Sequence, residues 1–573
     1  MKLLNIYPIL FLSVLLCMYS CQTEEKPIQD FSLNIRLAND PGRVNPMVGN
    51  PTDESNQVNS LIFLPLAHYD PITYEMSPVL IKEVPDAKVM EDGTIVYDYE
   101  FLEDAVWDDG KPITAEDYLF TMKVAMNPKV DAVSWRGLLA NIDSIGIDAS
   151  NDRKFSVIIK EYFLLAKEAS CTFEIFPKHI YDPEGILDAY SLQDVVNSEE
   201  SDSILSEFAK TFNSVKYSKE IVSGSGPYKL KAWEIDQYIA LERKENYWGD
   251  KYPERKALEN NPKEVIFRII SDENAAVTLL KDGSLDLMVV KSATIFENLK
   301  NSSNFDSLFT LATPELARFY YIGLNNRKPE LADKDVRRAL AHLIDVDLII
   351  NNLENGYATR QLGTIMPNSE YYNRSLSEID FDIKKANAIL DNEGWKDTNG
   401  NGVRDKIIDG QLVELEVEYV ASQSPLGQKV GLLFQDNAKQ AGVDVKMIIK
   451  EGRKFNEAMY ALDFEASASA AGYSLAPYDP YQRWHSDNSD PKEGNFAGYV
   501  NERNDELIEL IRTAEDLAER TAAYKEFQQL MYDEQPVIFL YSPTQKFVLN
   551  KKFKGLFSMK RPGYFVGSFE FAE

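Results

Sequence analysis

The sequence predicts an α/β protein with two or three lobes. Its 573 residues exceed one ordinary hydrophobic core, since cores stop growing near about 250–300 residues. Short runs with strand character alternate along the whole chain with helix patterns, and no internal repeat or long low-complexity linker interrupts them. A hydrophobic fraction of 44% provides enough apolar side chains for a folded protein despite the strong net charge.

Strands and helices follow from local patterns. Runs rich in aliphatic and aromatic residues predict strands at 94–101, 155–159, 238–242, 265–270, 319–324 and 413–420. Thr114 and Asp117 have the spacing of a capping box before a predicted helix at 118–124, with Asp in the place of the usual Glu or Gln. Asp335 is predicted to open a second helix at 336–344.

The N-terminal residues predict export. Lys2 precedes an apolar run at 3–19, which is marginal for the roughly 20 residues that cross a bilayer. Ser20 and Cys21 then mark a cleavage point, so residues 1–20 are predicted to be a signal peptide and 21–27 a tether. The segment ending at Cys21 resembles a bacterial lipobox, which predicts acylation of Cys21 and a membrane attachment through this anchor only. An ordinary secretory signal cleaved nearby is the alternative.

Charge and cysteine content exclude several classes of protein. There are 91 acidic and 61 basic side chains, a net charge of −30, which opposes nucleic-acid binding because that binding needs Lys and Arg to neutralise phosphates. Three cysteines are too few for a disulfide scaffold. Cys17 leaves with the signal peptide and Cys21 is acylated, so Cys171 is predicted to be a buried free thiol.

No catalytic or cofactor site is readable in the sequence. The histidines lie far apart and lack metal-site spacing: His68, His179, His342 and His485. A pair formed by His485 and Asp487 is the one nickel candidate, and surface polar chemistry is the preferred interpretation. Neither a P-loop nor a GxSxG motif occurs. We expect no enzyme activity and no cofactor.

One acidic loop is similar to the start of a calcium site. Asp397, Asn399, Asn401 and Asp405 occupy positions 1, 3, 5 and 9 of an EF-hand pattern, with glycine at position 6. Position 12 would be Ile408, which cannot ligate calcium. The four residues are therefore a weak calcium candidate, and an Asx-rich turn is the preferred alternative.

Five blocks of sequence, in order, resemble the family 5 extracellular solute-binding proteins, the receptors of dipeptide, oligopeptide and nickel ABC importers. The first block, 92–117, contains Trp107, the Asp109–Gly110 turn and Asp117. The others are GSGPY at 224–228 with NYW at 246–248, AAVTLLKDGSLD at 275–286, GLNNRKP at 323–329 with DVRRAL at 335–340, and 386–395, which ends in EGW.

This resemblance implies the type II, cluster C fold of periplasmic binding proteins, with two halves around a ligand cleft and an extra lobe. Lobe I would comprise 28–66, 215–310 and 535–573, lobe II 67–214, and lobe III 311–534. Chain crossings near 315–320 and 540–544 would form a hinge that closes around ligand. The implied partners are a peptide or small-solute ligand and the permease and ATPase subunits of an ABC importer, and we expect a monomer.

The resemblance also places a ligand loop in lobe III. In the family's oligopeptide receptors an aspartate of this loop pairs with the peptide ammonium. Alignment on Asp479–Pro480 puts Gly472 and Tyr473 on a Gly–aromatic pair, but Ala476 takes the place of the aspartate. A buried ammonium needs a partner, so a peptide would be anchored by Asp479 or another acid, or the ligand lacks a free amine.

The remaining ligand-binding candidates follow from position in the family. The full expected set is Asn50, Trp135, Gly472, Tyr473, Ser474, Ala476, Asp479, Asn495 and Tyr541. Core packing is the alternative for each aromatic residue. The sequence thus predicts a lipid-anchored receptor that delivers peptides or similar solutes to a permease. A receptor for another solute, such as an oligosaccharide, or a surface sensor or adhesin with the same fold, stays open.

Overall fold

The computed structural model describes residues 30–49, 52–198, 202–490 and 494–572. The predicted signal peptide, the lipidation of Cys21 and the ligand contact of Asn50 lie outside these residues. Sheets and helices alternate along the chain, which confirms the α/β class. Within the part of the chain described, none of the helices combines the length and apolar character needed to cross a membrane.

The seven-stranded sheet takes its strands from three separate stretches of the chain. In spatial order the strands are Phe309–Ala312, Phe547–Asn550, Leu287–Val289, Ser32–Leu37, Glu264–Ile269, Tyr238–Arg243 and Tyr228–Glu234. The central strand Ser32–Leu37 runs parallel to both neighbours, and its alternate residues Leu33, Ile35 and Leu37 are buried. Period-two burial of this kind fixes which face of the sheet meets the core.

The four-stranded sheet shares one hydrophobic core with the seven-stranded sheet. Its order is Lys88–Val89, Ile95–Glu100, Lys154–Ile159 and Ile142–Ile147. The predicted capping box is confirmed at the helix Ala115–Met126, where the Asp117 carboxylate accepts a hydrogen bond from the Thr114 N–H at 2.9 Å. Asp117 also accepts from the Trp107 indole N–H at 3.2 Å, so two residues of the first sequence block are joined in the core. We call these two sheets with their helices the first half.

The six-stranded sheet forms the second half. Its order is Ala358–Arg360, Val537–Pro543, Arg318–Leu324, Ala466–Gly472, Glu416–Ala421 and Asp444–Ile449. Alternate residues of Arg318–Leu324 enter two apolar clusters: Phe319 and Tyr321 enter one, and Ile322 and Leu324 enter the other. Both faces of this sheet are therefore covered.

The structure corrects three details of the sequence prediction. Val537–Pro543 pairs with Arg318–Leu324 in the second half, whereas the sequence grouped 535–573 with lobe I. The run predicted as one strand at 413–420 is divided, because Gln411–Glu414 forms a hairpin with Asp405–Ile408 and Glu416–Ala421 joins the large sheet. The helix assigned to start after Asp335 is Lys334–Ala341, capped by the side chain of Asp333. The division into three lobes stays a prediction.

Two further strand pairs and the helices complete the fold. The pairs are Ala67–Tyr69 with Met76–Pro78 and Phe553–Phe557 with Tyr564–Phe571. The α-helices are Asp53–Ile62, Ala115–Met126, Val133–Leu139, Ala166–Cys171, Lys178–Tyr181, Leu192–Val196, Ser203–Phe212, Glu273–Lys281, Ala293–Lys300, Phe305–Leu308, Lys334–Ala341, Val346–Leu348, Ile383–Asn392, Pro425–Lys439, Gly452–Ala461, Tyr481–Trp484, Glu502–Thr513 and Leu517–Glu534. A π-helix covers Ile349–Leu353, and short 3₁₀ helices cover Ile186–Ala189, Val215–Tyr217, Trp248–Lys251, Lys256–Leu258 and Ser486–Asn488.

The glycines of the GSGPY block are required by a close approach of two backbones. A Cβ at Gly224 would lie 2.2 Å from the Ile62 carbonyl oxygen, and one at Gly226 would lie 2.5 Å from the Leu61 carbonyl oxygen. The block therefore packs directly on the C-terminal end of the helix Asp53–Ile62, where any side chain would clash. Cys171 is buried and free as predicted, and burial raises the pKa of its thiol to about 12.

The chain passes between the two halves at 313–317 and 544–546. The crossings run side by side: Glu315 bridges Thr544, and the Gln545 N–H donates to the Pro314 carbonyl at 2.8 Å. Two short adjacent connections are the arrangement that lets one half rotate against the other.

Candidate ligand cleft

The two halves contact each other through side chains on facing loops. Leu164 lies in the first half, between the strand Lys154–Ile159 and the helix Ala166–Cys171, yet it is buried in the apolar cluster around Phe319 and Phe527 of the second half. The nearby Tyr162 hydroxyl accepts a hydrogen bond from the Arg520 guanidinium, whose carbon lies 5.6 Å from the centre of the Tyr162 ring. These contacts close one side of the space between the halves.

A buried acid lies next to this contact. The Tyr69 hydroxyl donates to the Glu168 carboxylate at 2.6 Å. Burial raises the pKa of Glu168, and the hydrogen bond from Tyr69 opposes that rise. The hydrogen bond from Tyr69 and the charge of Arg520 in the second half favour the ionised form of Glu168, but burial outweighs them.

The turn at 558–563 touches both halves. Lys560 Nζ lies 2.6 Å from His68 Nδ1 on the strand Ala67–Tyr69, and the adjacent Met559 N–H donates to the Tyr74 hydroxyl at 3.5 Å. Arg561 pairs with Asp53 at the start of the helix Asp53–Ile62 at 3.3 Å. The turn therefore bridges two parts of the first half.

Arg561 also reaches the second half. A Cβ at Gly472, the last residue of the strand Ala466–Gly472, would lie 3.4 Å from a terminal nitrogen of Arg561. The turn at 558–563 thus lies where the strand Ala67–Tyr69, the helix Asp53–Ile62 and the end of the strand Ala466–Gly472 come together. We take this meeting point as the cleft.

A polar cluster is buried where the chain crosses between the halves. Tyr541 is fully buried, and its hydroxyl donates to the Glu354 carboxylate at 3.0 Å. Lys546 forms an ion pair with the other oxygen of Glu354 at 3.5 Å, with both side chains less than a tenth exposed. Because Lys546 is the last residue of the second crossing and Glu354 belongs to the second half, the ion pair ties this crossing to the second half.

Residues 75–493 match the family model of the bacterial extracellular solute-binding proteins, family 5. The chain belongs to this family. Its fold is the type II, cluster C fold of periplasmic binding proteins, and its family consists of extracytoplasmic substrate-binding receptors rather than enzymes.

Relatives of this family 5 protein include two receptors of Bacillus subtilis. The oligopeptide-binding protein AppA is 27% identical over 478 residues, which cover 81% of this chain and 78% of AppA. The dipeptide-binding protein DppE is 24% identical over 484 residues, covering 80% of this chain and 78% of DppE. The structure of Bacillus subtilis AppA in complex with a nonapeptide matches with a TM-score of 0.71 at 24% identity, covering 96% of this chain and all of that one.

In this family 5 protein, Tyr473 of the expected ligand loop is mostly part of the core. Its N–H donates to the Ala317 carbonyl at 2.9 Å, its ring centre lies 5.0 Å from that of Phe319, and its side chain is 9% exposed. Gly472 beside it is exposed and faces Arg561. The structure therefore places the Gly–aromatic pair at the cleft, with the glycine rather than the aromatic ring accessible.

The rest of the loop offers no unpaired acid. Ser474 is exposed, and its hydroxyl oxygen accepts a hydrogen bond from the Ala476 N–H at 3.1 Å. One oxygen of Asp479 accepts from the Arg512 Nε–H at 3.1 Å, and the other accepts from the Tyr481 N–H at 3.0 Å. The negative charge of Asp479 is thus balanced by Arg512.

Three other predicted residues make contacts within the protein. The Trp135 indole N–H donates to the Pro46 carbonyl at 3.2 Å, which fixes this ring within the first half. The Asn495 amide donates to the Tyr499 carbonyl at 2.9 Å, inside the second half. Tyr541 lies in the polar cluster with Glu354 and Lys546. The structure does not bring these residues and Tyr473 into one cluster, and their contact with ligand stays a prediction.

The acidic loop at 397–405 is organised by backbone hydrogen bonds. The Asp397 carboxylate accepts from the N–H groups of Gly400 at 2.7 Å and Gly402 at 3.0 Å. Asp405 is buried and accepts from the Thr398 N–H at 2.9 Å. The Asn399 and Asn401 side-chain oxygens accept from the N–H groups two residues on, of Asn401 at 3.0 Å and Val403 at 2.8 Å, which is the Asx-turn pattern. The amides of Asn399 and Asn401 both donate to Glu414, and the calcium candidate stays a prediction.

One group of acids in the described residues brings three possible metal ligands together. Asp333, Asp335 and Glu393 have carboxylate oxygens within 4.8 Å of one another. Burial, together with the nearby charge of Asp333, raises the pKa of Glu393. Asp333 also caps the helix Lys334–Ala341, so this group has a structural role without an ion.

Lys560 and His68 are cleft residues that sequence reasoning missed. They are 492 positions apart, and neither belongs to a sequence pattern typical of a binding site. Their proximity arises because the C-terminal turn folds back on the strand Ala67–Tyr69. Only the three-dimensional arrangement reveals it.

Proposed function

We propose that this protein is the lipid-anchored substrate-binding protein of an ABC importer, which captures peptides or similar solutes between its halves and delivers them to the permease. Family membership over residues 75–493 carries this proposal. The relatives whose names specify oligopeptides and dipeptides support peptides as the solute class.

The contact between the halves supports capture by closure. Leu164 is 6% exposed because it packs on the second half. Rotation about the crossings at 313–317 and 544–546 would expose this leucine, so an open form loses its burial. A solute that contacts both halves favours the closed form over the open one by its extra contacts. The permease then recognises the closed form.

Anchoring and partners complete the proposal. Acylation of Cys21 would hold the protein on the outer side of a membrane, with the tether at 21–27 leading to the folded region. The permease and ATPase subunits supply the transport step and the nucleotide binding. We propose that the receptor acts as a monomer.

Thermal unfolding of the mature chain in the presence of random peptide pools tests the peptide assignment. Ligand at about 100 times its Kd stabilises the native state by about 2.7 kcal/mol, so binding raises the Tm. We expect this rise with peptides and no turnover of the peptides. If oligosaccharides raise the Tm and peptides do not, the solute class is wrong while the receptor function stands. Native mass spectrometry of the purified protein identifies a retained solute directly.

A further inference from the structure

Lys560 and His68 form a contact between two basic groups in the cleft. The distance from Lys560 Nζ to His68 Nδ1 is 2.6 Å. Within the described residues, no carboxylate oxygen lies within 4.0 Å of Lys560 Nζ. Burial lowers the pKa of Lys560 to about 7, and Asp70 opposes this change from a greater distance. Burial and the neighbouring Lys560 lower the pKa of His68 well below its usual range.

This pair has the chemistry of an anion-binding site. Lys560 Nζ lies 2.6 Å from His68 Nδ1 and 3.4 Å from His68 Nε2, and the neutral imidazole keeps one N–H donor. An enclosed ammonium without a counter-ion is unfavourable, and an anion that reaches it removes that cost. The Lys560 ammonium and the N–H of the neutral His68 ring are two donors from which a carboxylate can accept.

The surroundings leave this charge available to a ligand. Arg561 on the same turn is already paired with Asp53. Both Lys560 and His68 are half-buried, with the Phe565 ring centre 5.7 Å from Lys560 Nζ, so part of each side chain stays accessible to a ligand. A Cβ on Gly472 would lie 3.4 Å from a terminal nitrogen of Arg561, so the residue that follows Lys560 lies beside the expected ligand loop.

We propose that Lys560 and His68 are a carboxylate-binding subsite of the cleft, which holds the free C-terminal carboxylate of a bound peptide. The identification of the ligand as a peptide rests on the proposed function, whereas the recognition of a carboxylate does not. The net charge of −30 repels anions at long range, so carboxylate recognition here depends on short-range contact with the pair.

The subsite predicts proton uptake on binding. Above pH 7 Lys560 is increasingly neutral, and a carboxylate stabilises its charged form. The titratable and charged groups around Lys560 are His68 on the strand Ala67–Tyr69, Asp70 directly after this strand, and Arg561, which is paired with Asp53. Affinity for a carboxylate ligand should therefore fall as pH rises above 7, by up to about tenfold per pH unit.

The test compares two random pools of short peptides, one with free C-terminal carboxylates and one with C-terminal amides. Apparent affinities come from Tm titrations of the mature chain one pH unit below and one above the pKa of Lys560. Lys560→Met removes the charge and keeps the length of the stem. Lys281→Met removes an exposed lysine of the helix Glu273–Lys281 and is the matched control. His68→Gln tests the second donor.

We expect wild type and Lys281→Met to bind the free-acid pool about 10- to 100-fold more tightly than the amide pool, the usual effect of a hydrogen bond to a charged group. Lys560→Met should lose this preference, and His68→Gln should reduce it. Equal binding of both pools by wild type, or a preference that survives in Lys560→Met, overturns the subsite and leaves the peptide function intact.

If neither peptide pool binds, the peptide function is contradicted, and a comparison with acetate then tests the subsite by itself. Acetate is then compared with chloride at equal ionic strength. A higher Tm in acetate for wild type and Lys281→Met, but not for Lys560→Met, supports the carboxylate subsite for a solute of another class. No acetate effect in wild type overturns the subsite.

Discussion

Glu174 is an enclosed acid whose cost to stability depends on pH. It forms a β-bridge with Pro65, between the buried Phe173 and Ile175. Its carboxylate makes no hydrogen bond or ion pair with the side chains that the structure describes. Burial raises the pKa of Glu174 from 4.5 to about 7. The hydrogen bond from its own backbone N–H favours the charged form, but burial outweighs it, so the carboxyl is more stable in its neutral form.

The sign and size of the effect follow from proton linkage. Between pH 4.5 and 7 the unfolded chain has lost this proton while the folded chain keeps it, so the contribution of Glu174 to stability falls as pH rises through this window. The pKa of Glu174 differs by 7 − 4.5 = 2.5 units between the folded and unfolded chain. At about 1.4 kcal/mol per unit, Glu174 therefore lowers the free energy of unfolding by about 3 kcal/mol above pH 7.

Glu174→Gln should remove this dependence, because the amide has nearly the same shape and no charge. The assay is urea unfolding of wild type and variant, followed by tryptophan fluorescence, below pH 4.5 and above pH 7. The low-pH comparison measures the cost of the amide itself. The free energy of unfolding of the variant, relative to that of wild type, should therefore be about 3 kcal/mol higher at high pH than at low pH. Glu91→Gln, at an exposed glutamate, controls for loss of one negative charge.

A difference below about 1 kcal/mol between the two pH values would refute this reasoning, because it would mean that Glu174 is ionised and paired in the native protein. If the variant is stabilised over wild type more at low pH than at high pH, the expected direction of the pH effect is wrong.

Four further outcomes test the hinge, the closure, the anchor and the ligand. Glu354→Gln leaves Lys546 buried without its partner and should lower the free energy of unfolding by about 3–5 kcal/mol; a loss below about 1 kcal/mol in urea unfolding contradicts the ion pair. Leu164→Ala should weaken solute binding by about 2 kcal/mol, or about thirtyfold, since its packing exists only when the halves meet; unchanged affinity in calorimetry argues against closure at this contact. Cys21→Ser should abolish incorporation of a labelled fatty acid and release the protein from membranes; retained label contradicts lipidation. N-acetylated peptides should bind as tightly as peptides with a free amine; a large loss on acetylation would require an acid in the cleft.

The sequence predicted much of the fold and less of the cleft, for a physical reason. Strands such as Lys154–Ile159 and Tyr238–Arg243 follow from local runs of apolar residues, and the cap of the helix Ala115–Met126 follows from spacing. Pairing between strands depends on distant partners, so the apolar run at Val537–Pro543 did not reveal which sheet it joins. The contact of His68 with Lys560 depends on chain return over 492 positions. No local pattern encodes it.

The two sides of the cleft differ in charge, and the difference has a consequence for recognition. On the loop of the second half, Ala476 replaces the expected acid and Asp479 is balanced by Arg512, so the described loop has no free negative charge for an amine. On the first half, Lys560 has a positive charge without a paired carboxylate. A ligand gains most where it balances an unpaired charge. Orientation of a peptide would then be set by its carboxylate end, and the amine end would be left to solvent or to backbone carbonyls.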